Sequence, residues 1–174
     1  MDALPRPLPT VPIDLEGLAR QHAGQAAALE GAGSLTRPGS GLIVFVSLTM
    51  PRPSLERLLD QAARAQATVV LRGFVGGSLR ETVAQVQALI GTRQVAVQID
   101  PPAFDRFAIA RVPSIVLLRD GARPASCASG TCAAPEDYLQ VSGDVSLDYA
   151  LEHMQRSAPA FQAETALFLA RLRP

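Results

Sequence analysis

With 174 residues, 48% of them hydrophobic and 18% charged, the chain is long enough for one sizeable core and has a globular composition. Its formal net charge is zero, all 16 cations are arginine and tryptophan is absent, which argues against strong nucleic-acid binding and a base-stacking surface. No run of about 20 apolar residues is available to span a membrane, and the start, MDALPRPLPTVPIDLEG, lacks the apolar segment of a signal peptide.

Residues 1–12 read as an extended arm punctuated by proline. An alanine-rich helix is expected over 14–30, with Leu15, Leu18, Ala19, His22, Ala26 and Leu29 at helical spacing, stopped by Gly31-Ala32-Gly33. Ser34 to Gly41 is a linker. Three segments follow: arm and helix (1–40), a central domain (41–157) and a terminal amphipathic helix (158–174).

The central domain opens on Leu42 to Ser47 (LIVFVS), a strand fit for burial on both faces. A helix over 52–66 carries Leu55, Leu58, Leu59, Ala62 and Ala63 on one face, with Pro51 and Pro53 confined to its entry turn. Thr68 to Leu71 is a second strand. The next helix, 78–90, is expected to turn Leu79, Val83, Val86 and Ile90 inward, and Ser78 with Glu81 forms a capping box. Val95 to Ile99 is a third strand, Pro102 to Phe107 a short helix, Ser114 to Leu118 a fourth strand and Tyr138 to Val141 a fifth. A helix over 146–156 points Leu147, Leu151 and Met154 inward. The last helix, 160–172, gathers Phe161, Phe168, Leu169 and Leu172, four large side chains that need cover and are expected to pack on their own domain.

Strands alternating with helices require an α/β fold with a mostly parallel sheet of about five strands, and the closing ββα adds an antiparallel edge. The stretch Ile99 to Gly121, IDPPAFDRFAIARVPSIVLLRDG, resembles the second half of a thioredoxin-like domain. Four separated motifs, FVSLTMP (Phe45 to Pro51), VVLRGFVGGS (Val69 to Ser78), VQIDPPAFDRFAIARVPSIVL (Val97 to Leu117) and VSGDVSLDYAL (Val141 to Leu151), resemble the TrbC family of F-type conjugative pilus assembly proteins. The resemblance covers Leu42 to Met154. It implies a periplasmic protein of a type IV secretion system, a TraW-like pilus assembly protein and other secretion-system components as partners, and neither catalysis nor a cofactor.

In disulfide isomerase-like relatives of that fold a reactive Cys-x-x-Cys opens a helix whose N-terminus lowers the thiol pKa. Taking strand 42–47 as the preceding strand puts Met50 and Pro53 in the two cysteine positions. Taking strand 68–71 puts them near Gly76 to Leu79. Neither frame holds a cysteine, and a thioether cannot exchange disulfides. A binding role follows, with Met50, Pro51 and Arg52 at the vestigial loop and Arg72, Arg111 and Pro113 at the same end of the sheet.

Val112-Pro113 reads as a cis proline shaping a groove for an extended peptide, or as a trans proline starting an edge strand. Arg72 can grip a carboxylate or pair internally with Asp100 or Glu81. Arg111 can face a partner or simply water. Cys127 and Cys132 read as a structural disulfide worth about 2 kcal/mol, or as a relocated redox pair. Two cysteines without nearby histidine fall short of a zinc site. His22 and His153 each stand alone, and Ser47, Thr49 and Ser54 lack a His/Asp pair for hydrolase chemistry. The alternatives are a thiol–disulfide oxidoreductase or isomerase using Cys127 and Cys132, and a cytosolic peptide-binding or peroxiredoxin-like module.

Overall fold

The computed structural model describes residues 41–122, 125–127 and 130–173. The expected arm and the 14–30 helix lie outside the described residues. In chain order the elements are β1 (Leu42–Val46), α1 (Arg52–Ala65), β2 (Thr68–Leu71), α2 (Leu79–Ile90), β3 (Ala96–Ile99), α3 (Pro101–Arg106), β4 (Ser114–Leu118), β5 (Ala125–Cys127), β6 (Gly130–Cys132), β7 (Tyr138–Ser142), α4 (Leu147–Ser157) and α5 (Gln162–Leu172). Short 3₁₀ turns precede α2, β7 and α5.

All five β1 side chains are buried, as a strand covered on both faces demands. It occupies the centre of a five-stranded mixed sheet of order β3-β2-β1-β4-β7. β1 and β2 run parallel, as do β2 and β3, and helices α1 and α2 make the two crossovers. β4 lies antiparallel to β1 with Phe45 opposite Ser114, and β7 antiparallel to β4, so the sheet is half antiparallel and not mostly parallel as expected, because the chain reverses across β1 before the last two strands. Gly41 enters the sheet tightly. Its carbonyl accepts from the Leu118 N–H at 2.6 Å, and a Cβ there would meet the Leu118 carbonyl oxygen at 3.0 Å.

The alternating side chains of the sheet divide the core in two. On one face Leu42, Val44, Val46, Val69, Leu71, Ile115 and Leu117 pack with α1, α4 and α5. On the other, Ile43, Phe45, Val70 and Val116 meet Ala103, Phe104, Phe107 and Ile109 from α3 and its exit turn. Phe161, Phe168, Leu169 and Leu172 are buried in the first of these cores, so the last helix packs on its own domain as expected.

Two further details depart from the sequence reading. In α2, Leu79 and Val83 are exposed, while Thr82 is buried and Val86 and Leu89 pack on the core. The buried Thr82 hydroxyl is satisfied locally, by the start of its own helix and the turn before it. Thr82 Oγ1 accepts from the Val75 N–H at 2.8 Å, and its hydroxyl donates to the Ser78 carbonyl at 2.7 Å. The capping box closes only by half. Ser78 Oγ accepts from the Glu81 N–H at 3.2 Å, but the Ser78 N–H goes to the Val75 carbonyl. The second departure is the β5–β6 hairpin, whose three-residue strands are too short and too rich in small residues to read as strands. The Ala133 N–H, just after β6, donates to the Arg106 carbonyl and ties the hairpin to α3.

Gln61 does for α4 what that helix's own N-cap does not. Ser146 makes no capping bond, and the Leu147 N–H instead donates to Gln61 Oε1 at 2.8 Å from across the core. Gln61 Nε2 donates to Asp148 Oδ1 at 3.0 Å. Gln61→Leu should cost about 1–3 kcal/mol, because the Leu147 N–H is left buried and unpaired. A lower urea midpoint at unchanged slope checks it; an unchanged midpoint refutes it. The Ser146 hydroxyl, followed by backbone N–H groups and Gln61, holds the Asp148 carboxyl below the usual carboxylate range. That contribution is complete above the ordinary carboxylate pKa and fades as the pH falls toward the lower folded value.

Candidate functional site

The C-terminal ends of parallel strands are where open α/β sheets bind ligands. Here that end is formed by the loops after β1 and β2 together with the start of β4. The loop after β1, Ser47 to Met50, is closed on itself. The Met50 N–H donates to the Ser47 carbonyl at 3.1 Å, the Thr49 N–H to Ser47 Oγ at 3.2 Å, and the Ser47 N–H to Met50 Sδ at 3.5 Å. Pro51 then caps α1 without a side-chain bond, and Pro53 occupies its first turn.

On the other side of β1 the chain arrives at β4 through Val112-Pro113, which is cis. The register that sets Phe45 against Ser114 places Pro113 beside the end of β1, at the Ser47–Met50 loop. Of the two cysteine-slot frames, the one built on strand 42–47 is therefore the one flanked by the proline. A hydrogen-bond chain fixes this corner. Gln140 Nε2 donates to Ser142 Oγ at 3.2 Å. Ser142 Oγ and Ser114 Oγ are 2.7 Å apart, and Ser114 Oγ donates to the Arg111 carbonyl at 2.7 Å. The Gly143 N–H donates to the Pro113 carbonyl at 2.9 Å. Asp144 reaches α1, accepting from Ser54 Oγ at 2.9 Å and Arg57 at 2.5 Å.

The residues singled out in the sequence share this end but differ in access. Pro51, Arg52, Arg72 and Arg111 are exposed, Met50 is half-buried, and Pro113 is buried. Pro113 therefore shapes the corner from beneath rather than offering a surface of its own. Arg52 pairs with Glu56 one turn on at 2.7 Å. Arg72 pairs neither with Asp100 nor with Glu81. It lies 3.9 Å from Asp105 and over the Phe104 ring, 5.4 Å from its centroid. Asp100 instead caps α3, accepting from the Ala103 N–H at 3.2 Å, and lies 4.0 Å from Arg106.

Between the two loops lies an open cleft of about 370 Å³, lined by Val46, Ser47, Leu48, Thr49, Leu71 and the run Arg72 to Gly76. Its floor is apolar and its rim polar. The Ser47 and Thr49 hydroxyls are 2.8 Å apart, bonded to each other. Phe74 stands half exposed at the mouth. Sequence reasoning took Arg72 from this cleft and missed Phe74, Ser47 and Thr49 as lining residues. The signal for Phe74 was there: one aromatic in a glycine-rich loop, just past a buried strand. Gly76 and Gly77 have φ of 55° and 71°, a left-handed turn that glycine adopts without strain.

The hydroxyls of the cleft bond each other, and His153 is exposed on α4. Among the described residues no group of three or more His, Cys, Asp or Glu is placed to hold a metal ion, and no helix is long and apolar enough to cross a membrane. Asp60, which Arg93 holds below the usual carboxylate range by hydrogen bonding, joins α1 to the turn after α2.

Comparison with known proteins gives two matches. Residues 44–154, from within β1 to the last turns of α4, match the family described as type-F conjugative transfer system pilin assembly protein. A relative from Escherichia coli (strain K12), named periplasmic protein TrbC, is 33% identical over 82 residues. That alignment takes in 47% of this chain and 39% of the relative, so the chain spans about two-fifths of the relative's length. No solved structure matches significantly. With the matched stretch covering well over half of the chain, and the central sheet with it, the protein belongs to the TrbC family of F-type conjugative pilin assembly proteins.

Proposed function

We propose that the protein is a redox-inactive, thioredoxin-like assembly factor that works in the periplasm on the F-type conjugative pilus by recognising a TraW-like partner. The observation that carries this reading is the entry to α1. A half-buried thioether and two prolines open the helix after β1, where this reading expects the thiols of the fold's oxidoreductases, and the strand register sets the cis Pro113 beside the end of β1. The sheet order agrees with the reading, since the strand leading into this helix lies antiparallel to the strand that follows the proline. The family match and the name of the bacterial relative support the pilus role and the compartment.

Cys127 and Cys132 fit a structural disulfide within the β5–β6 hairpin, with no free cysteine among the described residues. The binding surface is the loop of Met50, Pro51 and Arg52 with Arg72 and Arg111 around the buried Pro113. Arg111 is the most informative of these. Its backbone is fixed by Ser114, so changing its side chain alters charge and little else.

Arg111→Glu is expected to weaken binding to a purified TraW-like protein from the same conjugation system by about tenfold or more while stability changes by less than about 0.5 kcal/mol. Calorimetry and thermal melting check the two halves; equal affinity removes this surface from the interface. Insulin reduction provides the opposing test. Activity in the wild type that Cys127→Ser abolishes would replace the recognition role with a thiol–disulfide enzyme.

A further inference from the structure

We propose that the outer edge of β3 and the overhanging flank of α2 together form the contact with a second copy of this chain, the two sheets joining into one across a two-fold axis. This surface runs along the side of the sheet, away from the Arg111 corner, and does not depend on the recognition role.

β3 has β2 on one side and, among the described residues, no strand on the other. The Asp100 N–H donates to the Leu71 carbonyl at 3.1 Å. Strand alternation therefore turns the backbone groups of Ala96 and Gln98 toward β2 as well, and those of Val97 and Ile99 away from it. Such an edge is a template for another strand. The side chains of Val95, Val97 and Ile99 lie on the α2 face of the sheet, where they pack on the larger core yet stay half-buried.

α2 overhangs that edge. At about 100° per residue, Leu79, Val83 and Ile90 fall on one flank of the helix, beside the buried arc of Thr82, Val86 and Leu89. A right-handed crossover from β2 to β3 points this flank away from α1 and toward the open side of β3. Leu79 and Val83 are accordingly 56% and 41% exposed. From Thr82 to Thr92 the chain carries no charge, whereas the exposed face of α1 presents Arg52, Arg57, Asp60 and Arg64.

The occupant is a second copy because the edge complements itself. Antiparallel pairing with Val97 of one copy opposite Val97 of the other sets each Val95 against an Ile99 and lets the outward N–H and C=O groups bond reciprocally. It also brings the Arg93 end of each strand to the Asp100 end of the other, so opposite charges meet. A two-fold axis normal to the sheet keeps both α2 helices on one face. With each helix over its own β2–β3 pair and strands about 4.8 Å apart, the two axes come to about 10 Å, the distance at which helices pack. Leu79 and Val83 of each copy then meet the same flank of the other. The opposite edge of the sheet lacks this property. Self-pairing of β7 about Gln140 would set Glu136 against Asp144, like against like.

Sedimentation equilibrium of the full chain at about 100 µM should give twice the monomer mass, and Val83→Glu should weaken the association about 100-fold by placing a carboxylate in the apolar seam. Leu167→Glu, at a similarly exposed position on α5, should leave it unchanged. Hydrogen exchange on the unaltered chain needs no variant. The amides of Val97 and Ile99 should gain protection as the protein concentration rises, while those of Tyr138, Gln140 and Ser142 should not. A monomer at that concentration, an association insensitive to Val83→Glu or equally sensitive to Leu167→Glu, or protection gained at β7 instead of β3 would each overturn the proposal.

Discussion

Phe45→Ala is expected to destabilise the fold by about 3–5 kcal/mol, a large share of the roughly 5–15 kcal/mol that a domain of this kind possesses. Phe45 is fully buried in the central strand. Its ring meets Phe104 edge-on at 4.9 Å and Phe107 at 5.9 Å, and Phe107 in turn meets Tyr138 of β7 at 5.3 Å. Truncation removes the side chain about which one whole layer is arranged, and α3 is too short, at six residues, to hold its place by its own hydrogen bonds. The loss should therefore travel to Arg72, which rests on Phe104. Urea unfolding measures the effect, and a cost below about 1.5 kcal/mol would mean that the layer closes over the gap. Phe45→Leu should recover most of the stability, since volume is better conserved.

Phe168→Ala should cost about as much, roughly 3–5 kcal/mol, although α5 lies beyond the residues matched to the family. Phe168 is 2% exposed and sits in the core shared by α1 and α4. Two bonds join the C-terminal end of α5 to that of α1. Arg64 of α1 donates to the Leu172 carbonyl at 3.0 Å, and Arg171 donates to the Ala65 carbonyl at 3.3 Å. The start of α5 is closed by the Thr165 hydroxyl, which donates to the Phe161 carbonyl at 2.9 Å. A near-neutral Phe168→Ala would show that the family core stands without this helix.

Much of this fold could be read from the residues. Strands 68–71 and 114–118 begin and end where the apolar runs do, because burial on both faces leaves no ambiguity of period. Helix faces were legible where one apolar stripe exists, as in α1 and α4. They were not in α2, where Leu79, Val83, Val86, Leu89 and Ile90 wrap around the helix. There the buried face includes a polar residue, Thr82, whose hydroxyl is satisfied by local hydrogen bonds that no hydropathy pattern encodes. The site divides in the same way. A proline before a β-run betrays a corner, whereas the cleft depends on which loops the strand order brings together. The partner of Arg72 was misread for that reason: Asp105 lies on α3, close only after the chain has crossed the sheet.

The position of β1 carries a mechanical consequence. The chain enters the sheet through its middle strand, held on one side by β2 and on the other by β4. Tension applied ahead of Gly41 would load both ladders in shear, so their bonds must rupture together instead of unzipping singly. A tether at this end could haul on the molecule without peeling it open, and extension by force spectroscopy from residue 41 should meet its main resistance there.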